Sequence, residues 1–350
     1  MAGITLKDVS FVYPGTSTPV LEDLNLTIKP GQAHALLGAS GAGKTTLLNI
    51  LSGLLTPTSG QVRFDDLDVS AVPGRARKVA QVFQFPVLYE SLDVQSNVEF
   101  PLSQLKLPKA ELAERVAYIA AELEIESLLT RRIADLSLFE KQLVAVAKAL
   151  VRPDISVVLL DEPLTAVEPR IKWRLRQALR RVKQDLGVTM VYVTHDQTEA
   201  LTFADEVSVL TADGILQTDT PEQIYNSPSH EFVGHFIGSP GMNFIDTEQT
   251  DHGLYLPGVA LDGVDRIGFR PEWVDVETPG PLTGRVEHVK AEAIQSGQQY
   301  GLIKLQLASG DQVQLRGPLL CDPGVQLSCS INRAILFKDE IQVDIYAAPV

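Results

Sequence analysis

A glycine-rich segment, Gly38–Thr45, constrains the fold of this chain more than any other part of its sequence. It follows the apolar residues 35–37, which predict a strand, and precedes residues 46–51, which predict a helix. Glycines let the backbone curl around phosphate groups, and N–H groups at the start of a helix then face the anion. In this pattern Lys44 is expected to reach the β- and γ-phosphates, while the Thr45 hydroxyl holds Mg²⁺. A plain glycine-rich turn is the alternative, and the complete motif between a strand and a helix argues against it.

A second apolar run ends in two carboxylates. Residues 157–160 have the composition of a strand that is buried on both faces, and Asp161 and Glu162 follow it directly. Beside a phosphate-binding loop, Asp161 is expected to bind Mg²⁺, and Glu162 is expected to act as the general base that polarises the attacking water. An ordinary buried strand with a solvated acidic end is the alternative, which the phosphate-binding loop disfavours.

Three further positions make the sequence resemble a known family, the ATPase subunits of ABC transporters. Tyr13 matches the family's aromatic residue that stacks on adenine, Gln84 the glutamine that touches Mg²⁺ and water, and His195 the histidine that contacts the γ-phosphate. Each residue alone is more typical of an ordinary loop or strand end, but five motifs in the family's order and spacing indicate the family.

The resemblance implies ATP and Mg²⁺ as ligands, and it implies a role for each matching residue. Catalytic roles fall to Lys44, Gln84, Glu162 and His195. The implied metal ligands are Thr45, Gln84 and Asp161, and the implied ATP contacts are Tyr13, Gly38, Ser40, Gly41, Gly43, Lys44, Thr45 and Thr46.

The element by which this family caps a partner's nucleotide departs from the family pattern. Where the family has Leu-Ser-Gly-Gly-Gln, this chain has Leu136-Ser137-Leu138-Phe139-Glu140. In the family two ATPase subunits face each other head to tail, and the serine and backbone amides of this signature cap the γ-phosphate of the other subunit. Leu138 and Phe139 add bulk where the backbone should approach closely, and Glu140 places a carboxylate near an anion.

Two more departures lie in elements that the family donates to its partner. Leu143 stands where the signature helix usually has an arginine, and Thr165–Glu168 replaces a Ser-x-Leu-Asp stretch that crosses to the opposite site. The elements that bind this chain's own nucleotide are intact. Because random decay should strike both sets, the asymmetry predicts a heterodimer with one competent and one impaired ATP site. A homodimer that tolerates the variant signature is the alternative.

Length and composition limit the remaining possibilities. The 350 residues suffice for two domains with cores of their own, and 45% hydrophobic residues are normal for a soluble globular protein. No apolar run approaches the roughly 20 residues of a membrane-spanning helix. The N-terminus lacks a signal pattern, and two cysteines indicate no disulfide framework. The net charge of −14 argues against nucleic acid or anionic lipid as the main partner.

Two domains are expected. Residues 1–237 alternate short apolar strands with helices, which predicts a parallel sheet wrapped by helices. Within them, residues 86–151 correspond to the family's helical subdomain, with the clearest helical periodicity at Lys109–Leu129. Residues 241–350 contain short β-like runs, including a hairpin at Leu305–Leu315. The expected fold class is α/β, an ABC-type P-loop NTPase domain followed by a small all-β, OB-like accessory domain.

Several segments resemble importer ATPases. Residues 267–272 resemble a motif in the accessory domain of sugar-type importers, and residues 80–86, 190–205 and 232–243 resemble one ATPase of the two-ATPase bacterial glycerol importer. The implied function is ATP hydrolysis that drives the import of glycerol or a related polyol or sugar. The implied location is peripheral, on the cytoplasmic face of the inner (cell) membrane.

The resemblance also implies partners. These are a second ABC ATPase with an intact signature, two transmembrane permease subunits and, indirectly, a periplasmic or lipid-anchored solute-binding protein. The resemblance implies that residues 85–92 form the cleft that binds a short cytoplasmic helix of a permease subunit. No nucleic acid is expected. Other interpretations are a homodimeric importer ATPase, a regulatory ATP-binding protein with little turnover, and a soluble P-loop kinase or repair ATPase.

Overall fold

The computed structural model describes residues 2–103, 105, 107–164, 169–247, 256, 259, 261, 263–295, 298–319 and 321–348. Contacts between Cα atoms divide the chain into two compact units, Met1–Pro221 and Glu222–Val350. Each unit has buried hydrophobic clusters of its own. The domain boundary at residue 237 that the sequence suggests stays a prediction.

Two sheets form the first unit. Its strands are β1 (Ile4–Phe11), β2 (Leu21–Ile28), β3 (Ala33–Leu37), β4 (Ser59–Phe64), β5 (Leu67–Asp68), β6 (Val79–Val82), β7 (Val157–Asp161), β8 (Thr189–Thr194), β9 (Glu206–Thr211) and β10 (Gly214–Asp219). One sheet is antiparallel, in the order β2-β1-β4-β5. The other has the order β10-β9-β3-β8-β7-β6, and all its neighbours run parallel except β9 and β10.

The strands that carry the nucleotide motifs lie in the middle of the parallel sheet. Every residue of β3, β7 and β8 is buried, as expected for parallel strands covered on both faces. The apolar runs 35–37 and 157–160 are therefore strands, as predicted. The carboxyl ends of these three strands meet at one edge of the sheet, which brings their following loops together.

The helices of the first unit are α1 (Lys44–Ser52), α2 (Val94–Glu99), α3 (Lys109–Glu122), α4 (Leu138–Leu150), α5 (Pro169–Leu186) and α6 (Gln197–Phe203). The predicted helix after the phosphate-binding loop is α1. The helical periodicity at Lys109–Leu129 overstated α3, which ends at Glu122. Glu124 adopts a left-handed backbone with φ of 57°, and the Ile125 N–H bonds back to the Ala120 carbonyl at 2.9 Å, which closes the helix.

Strands dominate the second unit. Two short helices, α7 (Pro221–Asn226) and α8 (Glu231–Phe236), precede β11 (Asn243–Asp246), β12 (Arg266–Phe269), β13 (Val274–Asp275), β14 (Leu282–Gln295), β15 (Gln298–Leu307), β16 (Gln312–Pro318), β17 (Gln326–Ile331), β18 (Arg333–Lys338) and β19 (Ile341–Ala347). The two sheets have the orders β11-β12-β18-β19 and β13-β17-β14-β15-β16. The predicted hairpin is the pair β15 and β16, in which Leu305 faces Val313.

One buried arginine ties α7 and α8 to the strands of the second unit. Arg270 follows β12, is fully buried, and donates hydrogen bonds to the carbonyls of Tyr225, Gly234 and Ile237. Its guanidinium also lies 4.3 Å from the centre of the Tyr225 ring. The Gly234 carbonyl also accepts the Met242 N–H at 3.0 Å, so Arg270 matters most for the carbonyls of Tyr225, in the last turn of α7, and Ile237, directly after α8. No helix in the described part of the chain is both long and apolar enough to cross a membrane.

Candidate functional site

The glycine-rich segment forms a tight loop between β3 and α1. Gly41 and Gly43 have φ of 86° and 87°, in the left-handed region that favours glycine. A Cβ atom on Gly43 would lie 2.7 Å from the Leu21 side chain, so both space and backbone require glycine there. Because α1 begins at Lys44, directly after Gly43, the free N–H groups of its first turn face the interior of the loop.

Lys44 lies inside this loop and is only 6% exposed. Its ammonium donates to the carbonyls of Gly38 at 2.8 Å and Ala39 at 2.7 Å. Burial lowers the pKa of Lys44, while the nearby carboxylates of Glu162 and Asp161 act in the opposite direction. The Lys44 ammonium therefore lies inside the loop, bound to backbone carbonyls. The oxygens of a bound phosphate group would replace these carbonyls as its hydrogen-bond acceptors.

Two predicted Mg²⁺ ligands meet beside Lys44. The Thr45 hydroxyl donates to Oδ1 of Asp161 at 3.3 Å, which joins the start of α1 to the end of β7. Burial raises the pKa of Asp161; the Thr45 hydrogen bond opposes this shift and the Glu162 charge adds to it. A hydroxyl and a carboxylate are hard oxygen ligands of the kind Mg²⁺ takes, usually together with phosphate oxygens and water. These residues therefore fit the predicted metal.

Glu162 is contacted by two of the other three predicted catalytic residues, Gln84 and His195. The Gln84 amide donates to Oε2 of Glu162 at 3.2 Å, and His195 Nδ1 lies 3.0 Å from Oε1. Glu162 has a φ of 43°, which is uncommon for a residue with a side chain, and its N–H bonds to the Val193 carbonyl at 2.9 Å. Such backbone geometry often occurs at functional sites.

One open cavity of about 630 Å³ joins these groups. Among the predicted site residues, its walls contain Ser40, Gly41, Gly43, Lys44, Thr45, Thr46, Gln84, Glu162 and His195. Three predicted residues, Gly38, Asp161 and Tyr13, do not line the cavity, but each is hydrogen-bonded to a residue that does. Gly38 accepts from Lys44, Asp161 accepts from Thr45, and the Tyr13 hydroxyl lies 3.0 Å from Thr46 Oγ1. Val20, just before β2, also lines the cavity, and sequence reasoning missed it because nothing in its surroundings forms a motif.

Comparison with known proteins places this site in a family. Residues 21–165 match the family model described as ABC transporter. The sn-glycerol-3-phosphate import ATP-binding protein UgpC of Rhizobium meliloti is 38% identical over 286 residues, which are 81% of each chain. The chain belongs to the ABC transporter family. The trehalose import ATP-binding protein SugC of Mycobacterium tuberculosis is 41% identical over 300 residues, 84% of this chain and 74% of that protein.

Solved structures of ABC proteins share the fold. CbiO1 from Clostridium perfringens, part of the ABC transporter complex cbiONQ, gives a TM-score of 0.59 at 29% identity, covering 63% of this chain and 89% of that one. The ATP-binding cassette MJ0796, a dimer in a post-hydrolysis state with ADP and Pi, gives 0.57 at 28% identity, covering 62% and 98%. The predicted family, fold class and ABC-type ATPase activity are thereby confirmed.

The ABC signature of this chain forms the first turn of α4. Ser137 is the N-cap, and it exchanges two hydrogen bonds with Glu140: the Glu140 N–H donates to Ser137 Oγ at 3.2 Å, and the Ser137 N–H donates to Glu140 Oε2 at 2.7 Å. Arg131 binds the other oxygen of Glu140 at 3.1 Å. The hydrogen bond from the Ser137 N–H is the main reason for the lowered pKa of Glu140.

The bulky residues of the signature point in different directions. Leu138 is 51% exposed, whereas Phe139 packs against the hydrophobic core and Leu143 is buried. The pattern Ser-x-x-Glu before an apolar run is a sequence signal for this reciprocal cap. Sequence reasoning treated Glu140 only as a negative charge and missed its structural role. The segment Thr165–Glu168, the other departure from the family, lies outside the described residues.

An apolar groove lies on another face of the first unit. Its volume is about 270 Å³, and its walls come from β6, from α4 and from the loop after β6. Phe83 and Val87 line it, and the neighbouring Phe85 is strongly exposed. Lys148 closes one side, where its ammonium lies 4.2 Å from the centre of the Tyr89 ring. Of residues 85–92, where the sequence predicts a cleft for a permease helix, Val87 lines this groove, and the cleft stays a prediction.

Proposed function

We propose that this chain is the ATPase subunit of a bacterial ABC importer and that it works in an asymmetric pair with a second, different ATPase. The observation that carries the asymmetry is the carboxylate of Glu140, which closes the N-terminus of α4 at Ser137. The glutamine of an intact signature could form the same cap, but it is neutral, whereas Glu140 brings a negative charge to the helix N-terminus that would receive a partner's γ-phosphate. Here the carboxylate of Glu140 takes the Ser137 N–H, so an anion of the chain itself already occupies part of that position.

The side chain of Leu138 and the charge of Glu140 both oppose the binding of a partner's phosphate at this helix N-terminus. Leu138 projects outward from the first turn of α4, where a glycine would leave room for close approach. The carboxylate of Glu140 stays ionised, because its pKa is lowered, and it would repel a phosphate. The ATP site that this chain completes for its partner is therefore the impaired one.

The chain's own nucleotide site supports a working ATPase. ATP with Mg²⁺ would supply the triphosphate and a charge-neutralising cation. Lys44 and the N–H groups of the first turn of α1 hold negative charge, and Thr45 and Asp161 offer oxygen ligands. Glu162 takes the proton of the attacking water, while Gln84 and His195 orient the Glu162 carboxylate by contacts at its two oxygens.

The apolar groove beside Gln84 supports the importer role. Val87 in its wall and the neighbouring Phe85 are exposed and need a cover, which a short cytoplasmic helix of a permease subunit supplies in our proposal. A contact there would reach the ATP site directly, since Gln84 is the next residue after Phe83 of the groove. The subunit would thus be peripheral, on the cytoplasmic face of the inner membrane, and would serve permeases fed by a solute-binding protein.

We also propose a chemical class for the imported solute. Relatives are named for importing sn-glycerol 3-phosphate, trehalose and maltose, which supports a small polyol or sugar. Within that class we propose glycerol. Substrate contacts lie in the permease and binding proteins, so the choice is tested by transport.

The purified chain provides the test of asymmetry. We expect it to bind ATP but to hydrolyse it slowly, because a pair of identical chains would have two impaired sites. Replacing the signature by Leu138→Gly, Phe139→Gly and Glu140→Gln should raise hydrolysis by at least about 100-fold, the range of one lost set of transition-state contacts. The same triple variant with Lys44→Ala is the control and should stay inactive. Fast hydrolysis by the unmodified chain alone would overturn the heterodimer and favour a homodimer.

A regulatory ATP-binding protein with little turnover is the second candidate. The intact contacts of Glu162 with Gln84 and His195 disfavour it, because a site that only holds ATP does not need a positioned base. If the chain stayed inactive both with the restored signature and within its purified transporter, the regulatory role would replace our proposal.

A further inference from the structure

A buried polar cluster is formed by residues next to His195 in the sequence and at the start of α6. Its centre is the carboxylate of Glu199, at the start of α6, which is only 2% exposed. One oxygen of this carboxylate accepts hydrogen bonds from the hydroxyls of Tyr192 at 2.8 Å and Thr194 at 3.0 Å. The other oxygen accepts from the ammonium of Lys172 at 2.7 Å. All the groups lie in the first unit. Tyr192, Thr194 and Glu199 fall within residues 190–205, which resemble an importer ATPase, but the resemblance implies a role for none of them.

The cluster holds the backbone on both sides of His195. Thr194 donates its hydroxyl hydrogen to Glu199 and accepts the N–H of Asp196 at 2.9 Å. Asp196 in turn caps α6 by accepting the Glu199 N–H at 3.2 Å. His195 is the single residue between Thr194 and Asp196, so its backbone has little freedom to move.

Lys172 makes the buried carboxylate tolerable. It lies in the first turn of α5 and bridges Glu199 and Asp196, the latter at 3.2 Å. A buried carboxylate without a cation is strongly destabilising, and the bridge to Lys172 prevents this loss. Burial works against the ammonium, but hydrogen bonds and charges from Glu199 and Asp196 outweigh it and raise the pKa of Lys172. Lys172 therefore stays protonated around neutral pH.

We propose that Thr194, Asp196, Glu199 and Lys172 are positioning residues for His195, and that their cluster holds the imidazole 3.0 Å from Glu162 in the geometry that hydrolysis needs. Thr194 is the decisive member, because its hydroxyl links the Glu199 carboxylate to the backbone N–H of Asp196, directly after His195. The inference rests on the roles of His195 and Glu162 in the proposed function.

Two hydroxyl deletions form a matched pair of variants. Tyr192→Phe and Thr194→Val each remove one hydroxyl that donates to the same oxygen of Glu199, at similar distances. Only Thr194→Val also removes the acceptor for the Asp196 N–H beside His195. A purely structural cluster predicts similar effects of both variants on stability and turnover, whereas a positioning cluster predicts different effects on turnover.

Turnover is measured in the complete transporter, purified through a tag on this chain. We expect Thr194→Val to lower kcat by roughly 10- to 100-fold, because small displacements of a catalytic group have effects of that size, with ATP affinity changed less than about twofold. Tyr192→Phe should lower Tm by a similar amount while kcat stays within about threefold. Thr194→Ser, which restores the hydroxyl, should recover most of the lost kcat.

A second background shows whether the effect passes through Glu162. In Glu162→Gln, which removes the base, adding Thr194→Val should lower the residual rate by less than about twofold, since residues that act as a unit are not additive. Glu199→Gln keeps an acceptor oxygen for the hydroxyls but weakens the pair with Lys172, and it should lower kcat in the same sense. This variant serves as the test if Thr194→Val does not assemble.

The outcomes separate this inference from the function on which it rests. Equal losses of kcat in Thr194→Val and Tyr192→Phe, in proportion to their Tm shifts, would overturn the positioning role while leaving the ATPase roles intact. Unchanged turnover in His195→Ala and Glu162→Gln would overturn those roles and this inference with them.

Discussion

A single imidazole, His34, lies buried in the strand that leads into the phosphate-binding loop. It is fully buried in β3, and its Nε2 lies 2.8 Å from Ser208 Oγ on β9. Ser208 Oγ is in turn 2.6 Å from Thr218 Oγ1 on β10, so His34 belongs to a short row of polar groups across the sheet. Burial lowers the pKa of His34 to about 4, and the charge of Glu206 offsets this only partly.

This residue predicts how stability depends on pH. An unfolded histidine has a pKa of about 6.5. Between pH 6.5 and pH 4 the unfolded chain therefore binds a proton that folded His34 does not, so stability rises with pH across this window. At pH 5, His34 should cost about 2 kcal/mol of unfolding free energy relative to pH 8. Urea unfolding at both pH values should show this difference disappearing in His34→Gln.

The exposed His288 provides the control for that measurement. His288→Gln should keep the pH dependence of the wild-type protein. An equal pH dependence in the wild type and His34→Gln would mean that His34 does not carry this loss of stability.

At the scale of secondary structure, α1 depends on a residue far from the ATP motifs. The Arg77 guanidinium, which is buried, donates to the carbonyls of Ile50 at 2.6 Å and Leu51 at 3.1 Å in the last turn of the helix. It also donates to the Val72 carbonyl at 2.6 Å. A cation at a helix C-terminus satisfies the last carbonyls and interacts favourably with the helix dipole.

Removing this arginine should destabilise the first unit. Arg77→Met keeps the apolar part of the side chain but removes the donor to the carbonyls of Leu51 and Val72, while the Ile50 carbonyl keeps the Gly53 N–H; the loss should cost about 2–4 kcal/mol of unfolding free energy. Arg75, two residues away, is exposed, and Arg75→Met should change stability by less than about 0.5 kcal/mol. Urea unfolding of the two variants compares them directly. A loss below 1 kcal/mol in Arg77→Met would contradict the role assigned to its hydrogen bonds.

The same elements show how far the sequence could predict the structure. The loop between β3 and α1, the acidic end of β7 and the hairpin of β15 and β16 were predictable, because each is specified by neighbouring residues. The early end of α3 was not, since it depends on a left-handed Glu124 that the apolar pattern does not reveal. The cluster around His195 was also missed, because Lys172 and Glu199 are 27 residues apart and only the fold brings them together.

For the whole molecule, the division into two compact units predicts two unfolding transitions in calorimetry. ATP with Mg²⁺ at about 100 times its Kd should stabilise the unit that binds it by about 2.7 kcal/mol. This corresponds to a rise of roughly 5–10 °C for a unit of that size. The Tm of the second unit should not move. In Lys44→Ala neither Tm should respond to ATP, which controls for effects of ATP outside the site.

The reciprocal experiment perturbs the second unit through Arg270. This buried side chain donates hydrogen bonds to three carbonyls, those of Tyr225 in α7, Gly234 in α8 and Ile237 directly after α8. Burial lowers the pKa of Arg270 to about 10, so the side chain keeps its charge at neutral pH. Arg270→Met should lower the Tm of the second unit by roughly 10 °C or more, because it removes the donor to the carbonyls of Tyr225 and Ile237, while the Gly234 carbonyl keeps the Met242 N–H. The ATP-responsive transition should stay in place, and the exposed Arg285, changed to Met, should affect neither. If ATP and Arg270→Met moved one common transition, the two units would unfold as a single cooperative body, and the accessory unit would have to be treated as part of the ATPase.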